Sequence, residues 1–148
     1  SQAGNILVIA PISKTAGVAA TLTLTASNDI TIGAAGDIQG FSGTGLSVTL
    51  NANGDFDGAG NISVDGSIIT DSGDIVMTAT GGTIFVSGPL NTSNALNGGG
   101  DVTLTADAGI TINGAVTTTG DAGGAVSLIA NANADEEVLV SLKNLLLF

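Results

Sequence analysis

The 148-residue chain has no cysteine, histidine, tryptophan, tyrosine or arginine, and its only basic residues are Lys14 and Lys143. Each absence removes a class of function. Without cysteine there is no disulfide framework and no thiol chemistry, although exported proteins without cysteine are common and the compartment stays open on this ground. Without clustered lysine and arginine the chain has nothing to neutralise phosphates, so no nucleic-acid partner is expected, and an anionic membrane surface is disfavoured. The formal net charge of −11, from 13 acidic residues against 2 basic ones, points the same way.

Enzymes that cleave polysaccharides draw on arginine, lysine or histidine, or on two carboxylates held in one cleft. Here Asp37, Asp71, Asp107 and Asp121 stand singly in turn-like stretches, and four phenylalanines are the only aromatics available to stack on a sugar. The expectation is therefore a protein that is not an enzyme. A long apolar run is missing as well: "VLVSLKNLLLF" is too short and too interrupted to cross a bilayer, so no membrane insertion is expected. The start, "SQAGNILVIAPIS", lacks an initiator methionine and a basic stretch. No signal peptide is read there, and the chain is expected to be a piece of something longer.

What remains is glycine, at 23 residues, with threonine, serine, asparagine and aspartate around a hydrophobic fraction of 43%. Disorder needs low hydrophobicity with high charge, so this composition argues for a packed interior. Its small polar residues suit strands and turns better than long helices.

Internal repetition dominates the pattern. "TLTLTA", "SVTLNA", "DIVMTA", "DVTLTA" and "AVSLIA" end at Ala26, Ala52, Ala79, Ala106 and Ala130, at intervals of 26, 27, 27 and 24 residues. After the first four come "DITI", "NISV", "TIFV" and "GITI", with an earlier "NILV" through Val8. A third apolar position follows at Ile12, Ile68, Leu90 and Val116, with Pro11 and Pro89 at one shared place, and the copy after Ile32 reaches it later, at Ile38. Alternation within each segment marks strands with one buried face.

Three short strands per repeat of roughly 26 residues predict a right-handed parallel β-helix of about five to six coils, its hand set by the crossover rule. At ~4.8 Å per coil, the rod would be on the order of 25–30 Å long. One inward ladder is expected from Ile6, Ile30, Ile62, Ile84 and Ile110, and a second from Val8, Ile32, Val64, Val86 and Ile112. The five alanines are expected at a corner where only a small residue fits. A β-sandwich with accidental regularity is the alternative fold. The domain is read as a single one over residues 1–148.

The phrase "GNILVIAPISKTAGVAATLTLTASNDITIGA", followed by "LSVTLNANGDFDGAGNISV", resembles the repeat region of filamentous-haemagglutinin-type large exoproteins, the surface adhesins of two-partner secretion. The likeness covers roughly Gly4 to Ala130. It implies a β-helical fibre exported across a bacterial outer membrane, extracellular or on the cell surface, serving attachment or biofilm contacts. The chain would then be part of the shaft, touching neighbouring repeats or copies of itself, and host or matrix glycans and proteins.

Two further readings come from the residues alone. Both ends of a cut β-helix are open strand edges, so subunits could stack end to end into a filament. Outward Thr23, Thr49 and Thr103, with Thr25, Thr78 and Thr105 beside them, could form an ice-binding plane. Val76 and Ser127 interrupt the first rank, Asn51 and Ile129 the second, and threonine is also the ordinary outward residue of a strand.

Asn53, Asp55, Asp57 and Gly58 match the opening of a calcium loop with alternating oxygens, without the acid at the twelfth position, where Val64 falls. The loop is either a weak calcium site or a solvated turn, and no other cofactor is expected. Asp135, Glu136 and Glu137 lack metal-ligand spacing and read as a solvated face or helix start. Residues 131–148 are a candidate cap. Val138, Leu142, Leu145 and Leu146 fit a helix capped by Asp135, "VLVSL" fits a strand of the last coil, and Leu145 to Phe148 could dock on another chain.

Overall fold

A computed structural model describes residues 4–41, 43, 45–53, 58–130 and 140–142. All elements among them are β-strands. They form three parallel sheets, which the chain visits in strict rotation, so that each strand inside a sheet pairs with its equivalents one turn before and one turn after. The result is a parallel β-solenoid of five complete turns.

The first sheet holds β1 (Ile6–Val8), β4 (Ile30–Ile32), β7 (Ile62–Val64), β10 (Thr83–Val86), β13 (Gly109–Ile112) and β16 (Val140–Leu142). The second holds β2 (Ile12–Lys14), β5 (Ile38–Gly40), β8 (Ile68–Ile69), β11 (Leu90–Asn91) and β14 (Val116–Thr117). The third, with the longest strands, holds β3 (Ala20–Thr25), β6 (Leu46–Ala52), β9 (Ile75–Ala79), β12 (Val102–Ala106) and β15 (Val126–Ala130).

The expected ladders are present in register. Ile6, Ile30, Ile62, Ile84 and Ile110 stack on one another, as do Val8, Ile32, Val64, Val86 and Ile112. The delayed copy falls into line too, giving Ile12, Ile38, Ile68, Leu90 and Val116. Spacings along the chain vary, from 22 residues between Ile62 and Ile84 to 32 between Ile30 and Ile62. Space, not sequence distance, is what repeats, because corner loops absorb the surplus.

Ala52, Ala79, Ala106 and Ala130 stack as the buried last residue of the third sheet, and Ala26 is buried just beyond the end of β3. The tail resolves in favour of the strand reading where it is described. Val140–Leu142 pairs with Ile110–Ile112, so Leu142 belongs to a strand and not to the helix that the spacing allowed. The acidic cluster Asp135–Glu137, Val138, Leu145 and Leu146 lie outside the described residues.

Backbone crowding sets the sequence at two corners. A β-carbon on Gly114 would overlap the Gly88 carbonyl, and one on Gly88 the Gly66 carbonyl. The same holds for Gly124 over Gly100 and Gly100 over Gly73. At these places the turns approach so closely that only glycine leaves room.

Candidate functional site: the corners and their loops

The corners carry the polar chemistry. Where a parallel strand begins, the residue just before it gives its carbonyl to the turn beneath. Ile6 donates to the Asp29 carbonyl at 2.9 Å, Ile12 to Asp37 at 2.8 Å and Val48 to Asp74 at 2.8 Å. The N–H of that same residue has no main-chain partner in the ladder, and a side-chain oxygen one turn earlier takes it.

At the first sheet, Asn5 Oδ1 accepts from the Asp29 N–H at 3.2 Å. Asp29 Oδ1 accepts from Asn61 N–H at 2.8 Å and from its Nδ2 at 3.1 Å, and Asn61 Oδ1 accepts from Thr83 N–H at 3.0 Å. At the third sheet the Ser47 hydroxyl oxygen accepts from Asp74 N–H at 3.3 Å. Asp74 Oδ1 then accepts from Asp101 N–H at 2.8 Å, and Asp101 Oδ1 from Ala125 N–H at 2.7 Å.

At the second sheet Asp37 Oδ1 accepts both the N–H and the hydroxyl of Ser67 at 2.8 Å. The next residue in that column is Pro89, and the first is Pro11. Proline has no N–H, so it removes a donor that the strand ladder would not have served. That explains why both prolines share one place.

Other carboxylates are engaged in the same way. Asp71 accepts from Gly43 N–H at 2.6 Å and from Asn94 Nδ2 at 3.0 Å, spanning three turns. Asp107 accepts from Gly81 N–H at 2.7 Å and Asp65 from the Ser87 hydroxyl at 2.6 Å. The backbone and hydroxyl bonds from Ser67 hold the Asp37 carboxyl below the usual aspartate value of 3.8, because they stabilise its ionised form.

A second device closes the corner between the second and third sheets. Thr70, Thr92 and Thr118 follow their strands in one buried column, and their hydroxyls donate to the carbonyls of Gly73, Gly100 and Gly124. These three bonds span 3, 8 and 6 residues, so one lock closes loops of different length. Loop variation is thereby separated from the core. The loops of this corner carry the two most exposed large apolar side chains of the described residues, Val18 at 87% and Leu96 at 81%, together with the exposed Phe41.

Of the three expected metal ligands, Asp55 and Asp57 lie outside the described residues. Asn53 is 2% exposed with φ 57°. Its N–H donates to the Asn28 carbonyl at 3.0 Å, and its Nδ2 donates to the carbonyls of Gly58 at 2.6 Å and Thr80 at 3.2 Å. It therefore ties three successive turns at one corner, a structural duty that the sequence pattern did not reveal. No group of three or more metal-ligating side chains occurs among the described residues. Calcium at this loop rests on the sequence pattern alone. A rise in Tm with millimolar calcium that Asp55→Ala abolishes would assign the loop to the cation, and an unchanged Tm would leave it a corner.

The outward faces are plain. Thr23, Thr49, Val76, Thr103 and Ser127 form one rank and Thr25, Asn51, Thr78, Thr105 and Ile129 the next, with the interruptions where alignment of the repeats put them. A depression of about 220 Å³ lies beside Phe85 on the first sheet, opened by the missing side chain of Gly109 and lined by no titratable group. No helix among the described residues is long and apolar enough to cross a membrane.

Fold and corners together define a β-solenoid repeat protein whose acids join turn to turn. Comparison with protein-family models, with curated proteins and with solved structures returned no significant match to the chain. The corner oxygens and the buried threonines were missed by the sequence reading. The signal for the threonines was available: in "IIT", "LNT" and "VTT" the threonine sits two residues after the third inward apolar position, and period two turns it inward.

Proposed function

We propose that this chain is a shaft segment of an extracellular bacterial fibrous adhesin, non-enzymatic and mechanical in its duty. The resemblance of Gly4 to Ala130 to large exoprotein repeats supports the setting. The observation that carries the reading is the use of the carboxylates: Asp29, Asp37, Asp74 and Asp101 are committed to backbone N–H groups of the next turn. Such groups join turns and are poorly placed to shuttle protons in a cleft.

Strands pair along the rod axis in all three sheets, so load applied between the ends is shared by three ladders. Export as an unfolded chain is compatible with a molecule that needs no disulfide and can fold turn by turn. The loops at Val18, Phe41 and Leu96 would make the lateral contacts with host or matrix surfaces, and at the Leu96 loop the Thr92 lock keeps the rod indifferent to the loop's sequence. The test is insertion of the chain between a bacterial outer-membrane anchor and a tip of known binding specificity. A shaft keeps tip binding and extends its reach on the cell surface. Loss of tip binding with the inserted chain folded would contradict the reading.

A further inference from the structure

The sequence contains three Asn-Gly pairs: Asn53-Gly54, Asn97-Gly98 and Asn113-Gly114. In such a pair the glycine has no side chain to shield its nitrogen, and its backbone freedom lets that nitrogen reach the asparagine amide carbon. Sequence alone ranks the three alike. The fold does not.

Asn113 and Gly114 form the corner after β13. Both N–H groups donate to the Val86 carbonyl of the turn before, at 2.8 and 3.3 Å. Gly114 is buried against the Gly88 carbonyl, so its nitrogen cannot swing aside without opening that corner. Asn53 is enclosed, and its Nδ2 donates to the Gly58 and Thr80 carbonyls. Asn97 is placed differently. It is exposed, in the loop of the fourth turn that also carries Leu96. Its own N–H donates to Asn94 Oδ1 at 3.1 Å, which fixes one side of the residue. Gly98 follows in the left-handed region at φ 79°, and no cross-turn hydrogen bond holds its N–H among the described residues. Cross-turn bonding resumes at Gly99, whose N–H donates to the Ala122 carbonyl at 3.0 Å.

We propose that Asn97-Gly98 is a self-modification site, where the side-chain amide converts to aspartate and isoaspartate without an enzyme while the fold protects the other two pairs. The Gly98 nitrogen gives its proton to a solvent base and attacks Asn97 Cγ. The N–Cγ bond forms, the Cγ–Nδ2 bond breaks, and Nδ2 takes a proton from solvent and leaves as ammonia. Water then opens the resulting succinimide. Cleavage of its N–Cγ bond gives aspartate. Cleavage between that nitrogen and the Asn97 main-chain carbonyl carbon gives isoaspartate, which adds a methylene to the main chain. Either product places a new negative charge beside Leu96. The change stays within the loop, because the bond from the Thr92 hydroxyl to the Gly100 carbonyl closes the corner around it. On the shaft reading this ages a surface loop and spares the core, but the site rests on the fold and on amide chemistry and not on that reading.

The experiment is incubation of the full chain in warm, mildly alkaline buffer, then peptic digestion in acid and peptide mass spectrometry, with fragmentation that separates isoaspartate from aspartate. At Asn113 two cross-turn bonds must open before attack, so Asn97 should convert roughly tenfold faster or more, with Asn53 lagging as well. In urea that unfolds the chain, the three rates should draw together. Asn97→Ser, an exposed change that keeps the N–H bond to Asn94, should abolish the early ammonia release and leave the circular-dichroism melt unchanged. Native chain fully converted at Asn97 should melt at its original temperature. Equal rates at Asn97 and Asn113 in the folded chain, or a difference that survives urea undiminished, would overturn the proposal. So would an Asn97 that stays intact for the time in which the unfolded chain converts completely. A fall in melting temperature on conversion would overturn its confinement to the loop.

Discussion

The third and fourth turns and the first turn are built from the same residues and buried to very different extents. Ile68, Leu90 and Leu104 are fully enclosed, with no measurable exposure, whereas Ile12, Leu22 and Leu24 in equivalent positions of the first turn stay half-buried. Leu7, Ile9 and Val18 of that turn lie largely open. The difference teaches that no turn has a core of its own. Each inward side chain is covered by the turns before and after it, so stability is a sum of neighbour contacts along one axis.

That contrast can be broken most forcefully in the third sheet, where Leu24, Leu50, Met77, Leu104 and Leu128 share one column. Leu104→Ala should cost about 2–5 kcal/mol, the range for a buried leucine whose cavity cannot collapse. Leu24→Ala, in the same column but covered on one side, should cost less than half as much. Urea denaturation of the pair measures the ratio, and equal losses would mean that the first turn is covered by something else.

Glycine sharpens the same point at the backbone. Gly100→Ala forces a β-carbon into the Gly73 carbonyl and should fall near the upper end of the about 1–3 kcal/mol expected for overpacking. Gly17, in a first-turn loop at φ 91° with open space around it, should lose less on the same substitution. Thermal melts of the two variants decide this. In Thr92→Val the shape is kept and the hydroxyl bond to the Gly100 carbonyl is lost, for about 1–3 kcal/mol if that carbonyl is left unsatisfied.

The smallest effect concerns pH. Asp37 has its carboxyl pKa lowered by Ser67 in the folded chain, so its contribution is fully present above the ordinary aspartate value of 3.8. It is lost as pH falls below that value and through the lowered folded one. Asp37→Asn, a neutral acceptor at every pH, should flatten the acid limb of the Tm-against-pH curve by lowering Tm slightly at neutral pH and leaving it nearly unchanged in acid.

Much of this was legible in the chain. Ile30, Ile62, Ile84 and Ile110 announce their column through residue type and period two, and the alanines and the paired prolines announce theirs through recurrence. The corner acceptors do not. Asn5, Asp29, Asn61 and Thr83 occupy one column with three residue types, and the side-chain oxygens of the first three find their donors a turn away across a spacing between 22 and 32 residues. Their meaning exists only once the turns are stacked. The corner duty of Asn53 was hidden for a related reason: alternating oxygens with a glycine at the sixth place suit a cation and a tight corner equally well. Its buried amide is visible only when Thr80 of the next turn arrives beside it.

Native-state hydrogen exchange, read strand by strand, tests the neighbour-stacking claim most directly. If burial comes only from adjacent turns, protection should be greatest in β6, β9 and β12 and fall toward β3, with β1 and β2 exchanging first. Protection that is uniform along the rod, or highest in the first turn, would contradict it.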